Sequence, residues 1–240
     1  MTILPAIDLR AGRCVRLFQG DLARETVYGD DPVAMANRWE AEGGEWLHLV
    51  DLDGAVAGTP AHLDTLRSIA GRLRIPIEFG GGVRTLDDAR AAFAAGASRL
   101  ILGTVALEAP DCLEQIAGKF PGRIYVALDA RDGRVATRGW TETTALSVEE
   151  AAAACRSRGA AGFLFTDISR DGTGHGVNVD ATAKLAAGAG LPVIASGGVA
   201  SLDDVRALRA AEGSGIAAAI IGRALYTGAV RLAEAIAAAR

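Results

Sequence analysis

Short, uninterrupted apolar runs alternate along the chain with longer stretches of helical character. ILPAID from Ile3, WLHLVDL from Trp46, IPIEF from Ile75 and RLILG from Arg99 have strand length, as do IYVALD from Ile124, GFLFTD from Gly162, PVIAS from Pro192 and AAIIG from Ala218. Runs that are apolar at successive positions belong to strands covered on both faces, as in a parallel sheet flanked by helices. Helices are predicted between them over 32–42, 62–72, 86–95, 111–119, 148–158, 181–189, 202–211 and 230–238. Eight strands thus alternate with eight helices.

The pattern also repeats. EFGGGVRTLDDAR over 78–90 returns as ASGGVASLDDVR over 195–206, so that Gly81 and Gly82 fall on Gly197 and Gly198. Asp51 falls on Asp167, Gly103 on Gly222 and Asp8 on Asp129 in the same order. Thr85 with Asp88, and Ser201 with Asp204, have the spacing of a capping box opening a helix just after each glycine run. Internal repetition fixes architecture. Two homologous halves, approximately 1–120 and 121–240, predict one domain over 1–240: a single (β/α)8 TIM barrel built from duplicated half-barrels. A doubly wound open sheet alternates the same elements, but a duplicated four-unit half matches it poorly. The 240 residues agree with the roughly 250 of a typical barrel.

Composition mainly excludes. A net charge of −4 with interspersed signs leaves no basic stripe for nucleic acid and no polybasic membrane patch. The apolar runs are too short to span a bilayer. The chain opens directly on its first strand without a basic leader, the pattern expected of a cytoplasmic protein. Cys14, Cys112 and Cys155 and the three histidines show no metal-ligand spacing, so no metal is expected.

Candidate chemistry belongs at the strand exits, because the loops at that face build the active sites of such barrels. Gly197, Gly198, Gly222 and Arg223 fit a phosphate site after strands seven and eight, where backbone N–H groups and a helix N-terminus meet an anion. The repeat predicts a second site from Gly81, Gly82, Gly103 and Thr104, with Arg84 following the first glycine run. The expected partner is a small molecule carrying a phosphate at each end, its reacting centre over the middle of the mouth. Asp8 and Asp129 would face each other there, and opposed carboxylates suit general base and general acid work if one is kept protonated. Asp51, Thr166 and Asp171 are candidates to bond a sugar or shuttle protons, whereas Asp53 and Asp167 fit structural roles equally. His48 reads as either a ring-contacting ligand or a core histidine. Segment 130–146 reads as a large loop with Arg131, Arg138 and Trp140. Trp140 fits a stacking lid or the buttress of a hairpin. Segment 10–30 is expected as the other long loop, with Gln19 and Gly20 closing over one phosphate.

PAIDLRAGRCVRLFQGD, VDLDGA, FGGGVR, LDARDGRVATRGW, ISRDGTGHGVN, ASGGV and GRALYTG, in this order, resemble the ProFAR isomerase family of histidine biosynthesis over essentially the whole chain. The resemblance implies an Amadori rearrangement of a bisphosphorylated aminoaldose to an aminoketose, with no metal, organic cofactor or obligate protein partner. It implies Asp8 as proton acceptor, Asp129 as proton donor with Asp171 competing for that role, Thr166 near the sugar and Trp140 on the imidazole. Three alternatives share much of the pattern: an isomerase that also takes phosphoribosylanthranilate, the cyclase subunit of imidazole glycerol phosphate synthase, and a non-catalytic phosphosugar-binding barrel.

Overall fold

The computed structural model describes all of residues 1–240. Eight parallel strands form its centre: β1 (Thr2–Arg10), β2 (Leu47–Asp51), β3 (Ile77–Gly80), β4 (Arg99–Leu102), β5 (Ile124–Arg131), β6 (Gly162–Asp167), β7 (Val193–Ser196) and β8 (Ile216–Ile221). Each pairs with the next, β8 pairs with β1, and the sheet closes into a barrel. Every predicted strand and helix is present, with ends moved by at most a few residues. No helix is long and apolar enough to cross a membrane.

Alternation along the strands sorts side chains into two apolar bodies. Ile3, Ile7 and Leu9 of β1 join the large core between sheet and helices. Leu4 and Ala6 point into the barrel, with Ile101, Leu164, Ile194, Ala218 and Ile220. Continuing the same parity upward puts Asp8, Asp129, Thr166, Ser196 and Gly222 at the mouth. A strand apolar on both faces therefore delivers one polar side chain inward at its last turn.

Segment 10–30, expected as a loop, is instead two strands. Arg13–Phe18 runs antiparallel to β1, and Asp21–Gly29 pairs antiparallel to that strand in turn. The signal lay in the turns. Ala11–Gly12 and Gln19–Gly20 adopt consecutive positive φ angles of 49° and 73° and of 50° and 74°, the two-residue geometry that matches the twist of a hairpin. The loop expected after β5 is likewise strand-rich, with Arg134–Thr137 pairing against both β5 and Glu142–Ser147. Both predicted capping boxes form, Thr85 with Asp88 and Ser201 with Asp204. They start helices Leu86–Ala94 and Leu202–Ala210 directly behind the glycine runs.

Candidate active site

Asp8, 9% exposed, sits at the mouth end of β1 and accepts a hydrogen bond through Oδ1 from Arg16 Nη1 at 2.8 Å. Its Oδ2 has no protein partner, which leaves an acceptor facing the mouth. Arg16 was not singled out in the sequence because its segment read as loop. As part of a strand antiparallel to β1 it is carried back over the mouth, where its guanidinium packs against Gly222 and its Nε is buried without a partner. A strand-length, largely apolar stretch, RCVRLF, between two glycine turns was the available signal.

Asp129 occupies the corresponding place on β5, four strands away round the ring. Its Oδ2 accepts a hydrogen bond from Trp140 Nε1 at 2.8 Å, and Thr166, its neighbour in register on β6, also bonds it. Burial pushes the Asp129 carboxyl above its ordinary value, against the opposing pull of Trp140, Thr166 and the nearby His48. Asp171, in the segment after β6, is raised to about 6 by burial and by the charges of Asp8 and Asp129, with Arg16 pulling the other way. Asp8, Asp129, Asp171 and Arg16 therefore share one electrostatic neighbourhood, in which two of three carboxyls are biased toward the protonated form.

Beside this group lies a cavity of about 350 Å³ lined by Arg16, Gly172, Gly197, Gly198, Gly222 and Arg223, among others. Helix Arg223–Tyr226 begins at Gly222 with no side-chain cap, so its first N–H groups are free for an anion. Arg223 Nη1 donates to the Gly172 carbonyl at 2.5 Å and ties the β6 segment to the rim. The matching position is occupied differently. Helix Thr104–Glu108 also starts uncapped at Gly103, but Thr104 Oγ1 accepts from the Arg138 backbone N–H at 2.8 Å. The Arg138 side chain pairs with Glu108 at 2.9 Å and Glu142 at 3.2 Å, so the β5 hairpin lies over this glycine turn. Gly81 and Gly82 pack on the backbones of Asp51 and of Thr59–Pro60. Arg84 extends to Ala55 and Gly58 instead of toward open space.

Other expected residues are re-sorted by their contacts. Gln19 donates from its backbone to the Asp171 carbonyl at 3.2 Å and from Nε2 to the Ser169 carbonyl at 3.0 Å, and Gly20 lies directly under the Trp140 ring. This turn thus bridges the segments after β5 and β6 and packs against Gly172, at the edge of the cavity lined by Gly197, Gly198 and Gly222. Asp51, a candidate for the sugar, is structural: fully buried, it caps helix Leu52–Ala57 through Gly54 N and also accepts from Ala61 N and His62 N. Asp167 bonds Ser169 and Asn178, and Asp53 bonds His62 and the Ala11 backbone. Arg131 is exposed at the end of β5. No group of three or more His, Cys, Asp or Glu side chains is arranged to hold a metal ion.

The family model described as histidine biosynthesis protein matches residues 2–231. Similar proteins include one from Alkalilimnicola ehrlichii, 52% identical over 98% of this chain and 95% of its own length. One from Synechococcus sp. is 50% identical over 98% and 92%, and one from Syntrophotalea carbinolica is 49% identical over 99% and 98%. All three carry the name 1-(5-phosphoribosyl)-5-((5-phosphoribosylamino)methylideneamino)imidazole-4-carboxamide isomerase.

Proposed function

The chain belongs to the histidine biosynthesis protein family, and from that we propose that it is the aldose–ketose isomerase of the histidine pathway, converting ProFAR to its ketose by an Amadori rearrangement. The observation that carries the mechanism is the opposition of Asp8 and Asp129 at the barrel mouth, one with a free carboxylate oxygen and the other pushed toward its acid form by burial. Asp129 gives its proton to the ring oxygen of the aminoaldose as the C1′–O bond breaks, leaving a Schiff base. Asp8 then takes the C2′ proton, the electron pair forms the enolamine, and tautomerisation delivers the ketose. Thr166 holds the Asp129 carboxyl in place. Arg16 spans the base and the phosphate cavity. One phosphate sits in the cavity of Gly197, Gly198, Gly222 and Arg223. The other sits at Gly81, Gly82, Gly103 and Thr104 once the Arg138 turn lifts from Thr104, and Trp140 leaves Asp129 to stack on the imidazole.

Gly198 offers a direct test of the first phosphate site. Its φ is +92°, and a Cβ there would stand 2.5 Å from the Gly176 carbonyl oxygen, so alanine is strained and displaces the segment that walls the cavity. Gly198→Ala is expected to raise KM for ProFAR by about tenfold or more and to lower stability by about 1–3 kcal/mol. Unchanged steady-state kinetics would remove this site from the reading.

We take ProFAR as the single substrate. In the free protein Arg138, the cation of the turn beside Trp140 that an anthranilate carboxylate would call for, is paired with Glu108 and Glu142. An assay of both substrates decides whether it is released. Purified protein assayed in parallel is expected to turn over ProFAR and to leave phosphoribosylanthranilate unchanged. Comparable turnover of both would make the dual-substrate reading the correct one.

A further inference from the structure

One cluster of buried ionisable groups is not used by this mechanism. Below the mouth, inside the barrel, His48 of β2, Glu78 of β3 and Arg99 of β4 stand in register across three adjacent strands. Glu78 is fully buried. Its Oε1 lies 2.5 Å from His48 Nδ1, and its Oε2 accepts from Arg99 Nε at 2.6 Å. The Arg99 guanidinium is itself held over the rings of Trp46 and Tyr125, at 4.2 Å and 4.4 Å. Burial alone would push the Glu78 carboxyl up, but His48 and Arg99 together hold it below the usual carboxylate range. An ionised Glu78 needs a donor on each oxygen, which fixes the proton of His48 on Nδ1.

The other nitrogen is then the informative one. His48 is 7% exposed and its Nε2 has no protein partner. The only buried side-chain nitrogens and oxygens left unpaired are Arg16 Nε and Trp39 Nε1, so Nε2 opens onto accessible space. His48 stands one interior position below Val50, which is the register partner of Asp8. The interior position above Glu78 is Gly80, with no side chain to cover the ring from above. His48 is also close enough to Asp129 to act on that carboxyl. The imidazole is therefore held from the side by Glu78, one interior level below Asp8, with Nε2 left accessible.

We infer that His48 is a substrate-contacting residue of this isomerase, presenting Nε2 from the barrel floor to a hydroxyl of the reacting sugar, and that Glu78 is the residue that positions it. The inference rests on the isomerase reading. A sugar hydroxyl is the chemistry the site takes, because Nε2 offers a hydrogen bond while the mouth's carboxyls are committed to proton transfer.

The test is a long-range ¹H–¹⁵N imidazole spectrum of the Asp8→Asn protein, which is expected to bind ProFAR without turning it over. Only three histidines contribute, and His48→Gln assigns the signal. The expected result is a His48 ring protonated at Nδ1 whose Nε2 resonance moves on adding ProFAR. In the otherwise wild-type enzyme, His48→Gln is expected to lower kcat/KM about 10–100-fold, the size of one hydrogen bond to a polar transition state, with the protein still folded and its melting temperature lowered by the donor taken from Glu78. Glu78→Gln should lose the fixed tautomer and lose activity with it. An Nε2 resonance indifferent to ProFAR, while wild-type protein turns ProFAR over, overturns the role of His48 and leaves the isomerase standing. Wild-type protein inactive on ProFAR overturns the isomerase reading itself.

Discussion

Asp8→Asn is expected to lower kcat for ProFAR by about 10³–10⁴-fold, the upper part of the range for loss of a general base. Its KM should change little. The substitution is close to isosteric, and its remaining carbonyl oxygen can still accept from Arg16 Nη1, now 2.8 Å from Oδ1. What disappears is the second carboxylate oxygen, free of protein partners. Folding should survive with a loss of about 1–3 kcal/mol for the weakened contact with a largely buried guanidinium. Arg16 stays at the phosphate cavity, so binding is retained. The measurement is steady-state turnover alongside thermal melting and equilibrium binding of ProFAR. Activity within about tenfold of wild type would remove Asp8 from proton transfer, and a protein that no longer folds would make its carboxylate structural.

The barrel and its mouth were legible in the sequence because strand-length apolar runs recur in two copies, and several of them end on a conspicuous polar residue. That signal is local, and it named Asp8, Asp129 and Thr166 correctly as residues of the mouth. Residues whose place depends on a hairpin returning over the barrel were not legible. Arg16 is the clearest case, because its distance from Asp8 is set by antiparallel pairing that begins at the Ala11–Gly12 turn. Asp51 misled in the opposite direction. It ends β2 just as Asp8 ends the apolar run of β1, but Leu52–Ala57 starts at once as a helix and takes the carboxylate as its cap. Nor could sequence pair His48 with Glu78, thirty positions apart, without the strand register that joins them.

Asp129→Asn is the second substitution with a large expected effect, a fall in kcat of about 10²–10⁴-fold, and it must be read beside Asp171→Asn. Both carboxyls are raised by burial, Asp171 to about 6, so a favourable proton affinity alone does not choose between them. Position and bonding do. Asp129 lies opposite Asp8 and is held by Trp140 and Thr166, whereas Asp171 sits on the segment beside Arg16 and the phosphate cavity. Asp171→Asn is therefore expected to cost about tenfold, through the field at Arg16 and Asp8. A general acid works only while protonated, so kcat should decline as pH rises through the pKa of Asp129. The Trp140 N–H stabilises the charged form and pulls that pKa down. In the free protein Trp140 still bonds Asp129. Trp140→Phe should accordingly move the alkaline limb of the kcat/KM profile, which reports the free enzyme, to higher pH, a direction that loss of imidazole stacking alone does not produce. If Asp171→Asn stops catalysis while Asp129→Asn is tolerated, the acid is Asp171. The alkaline limb would then fall near pH 6 and be insensitive to Trp140.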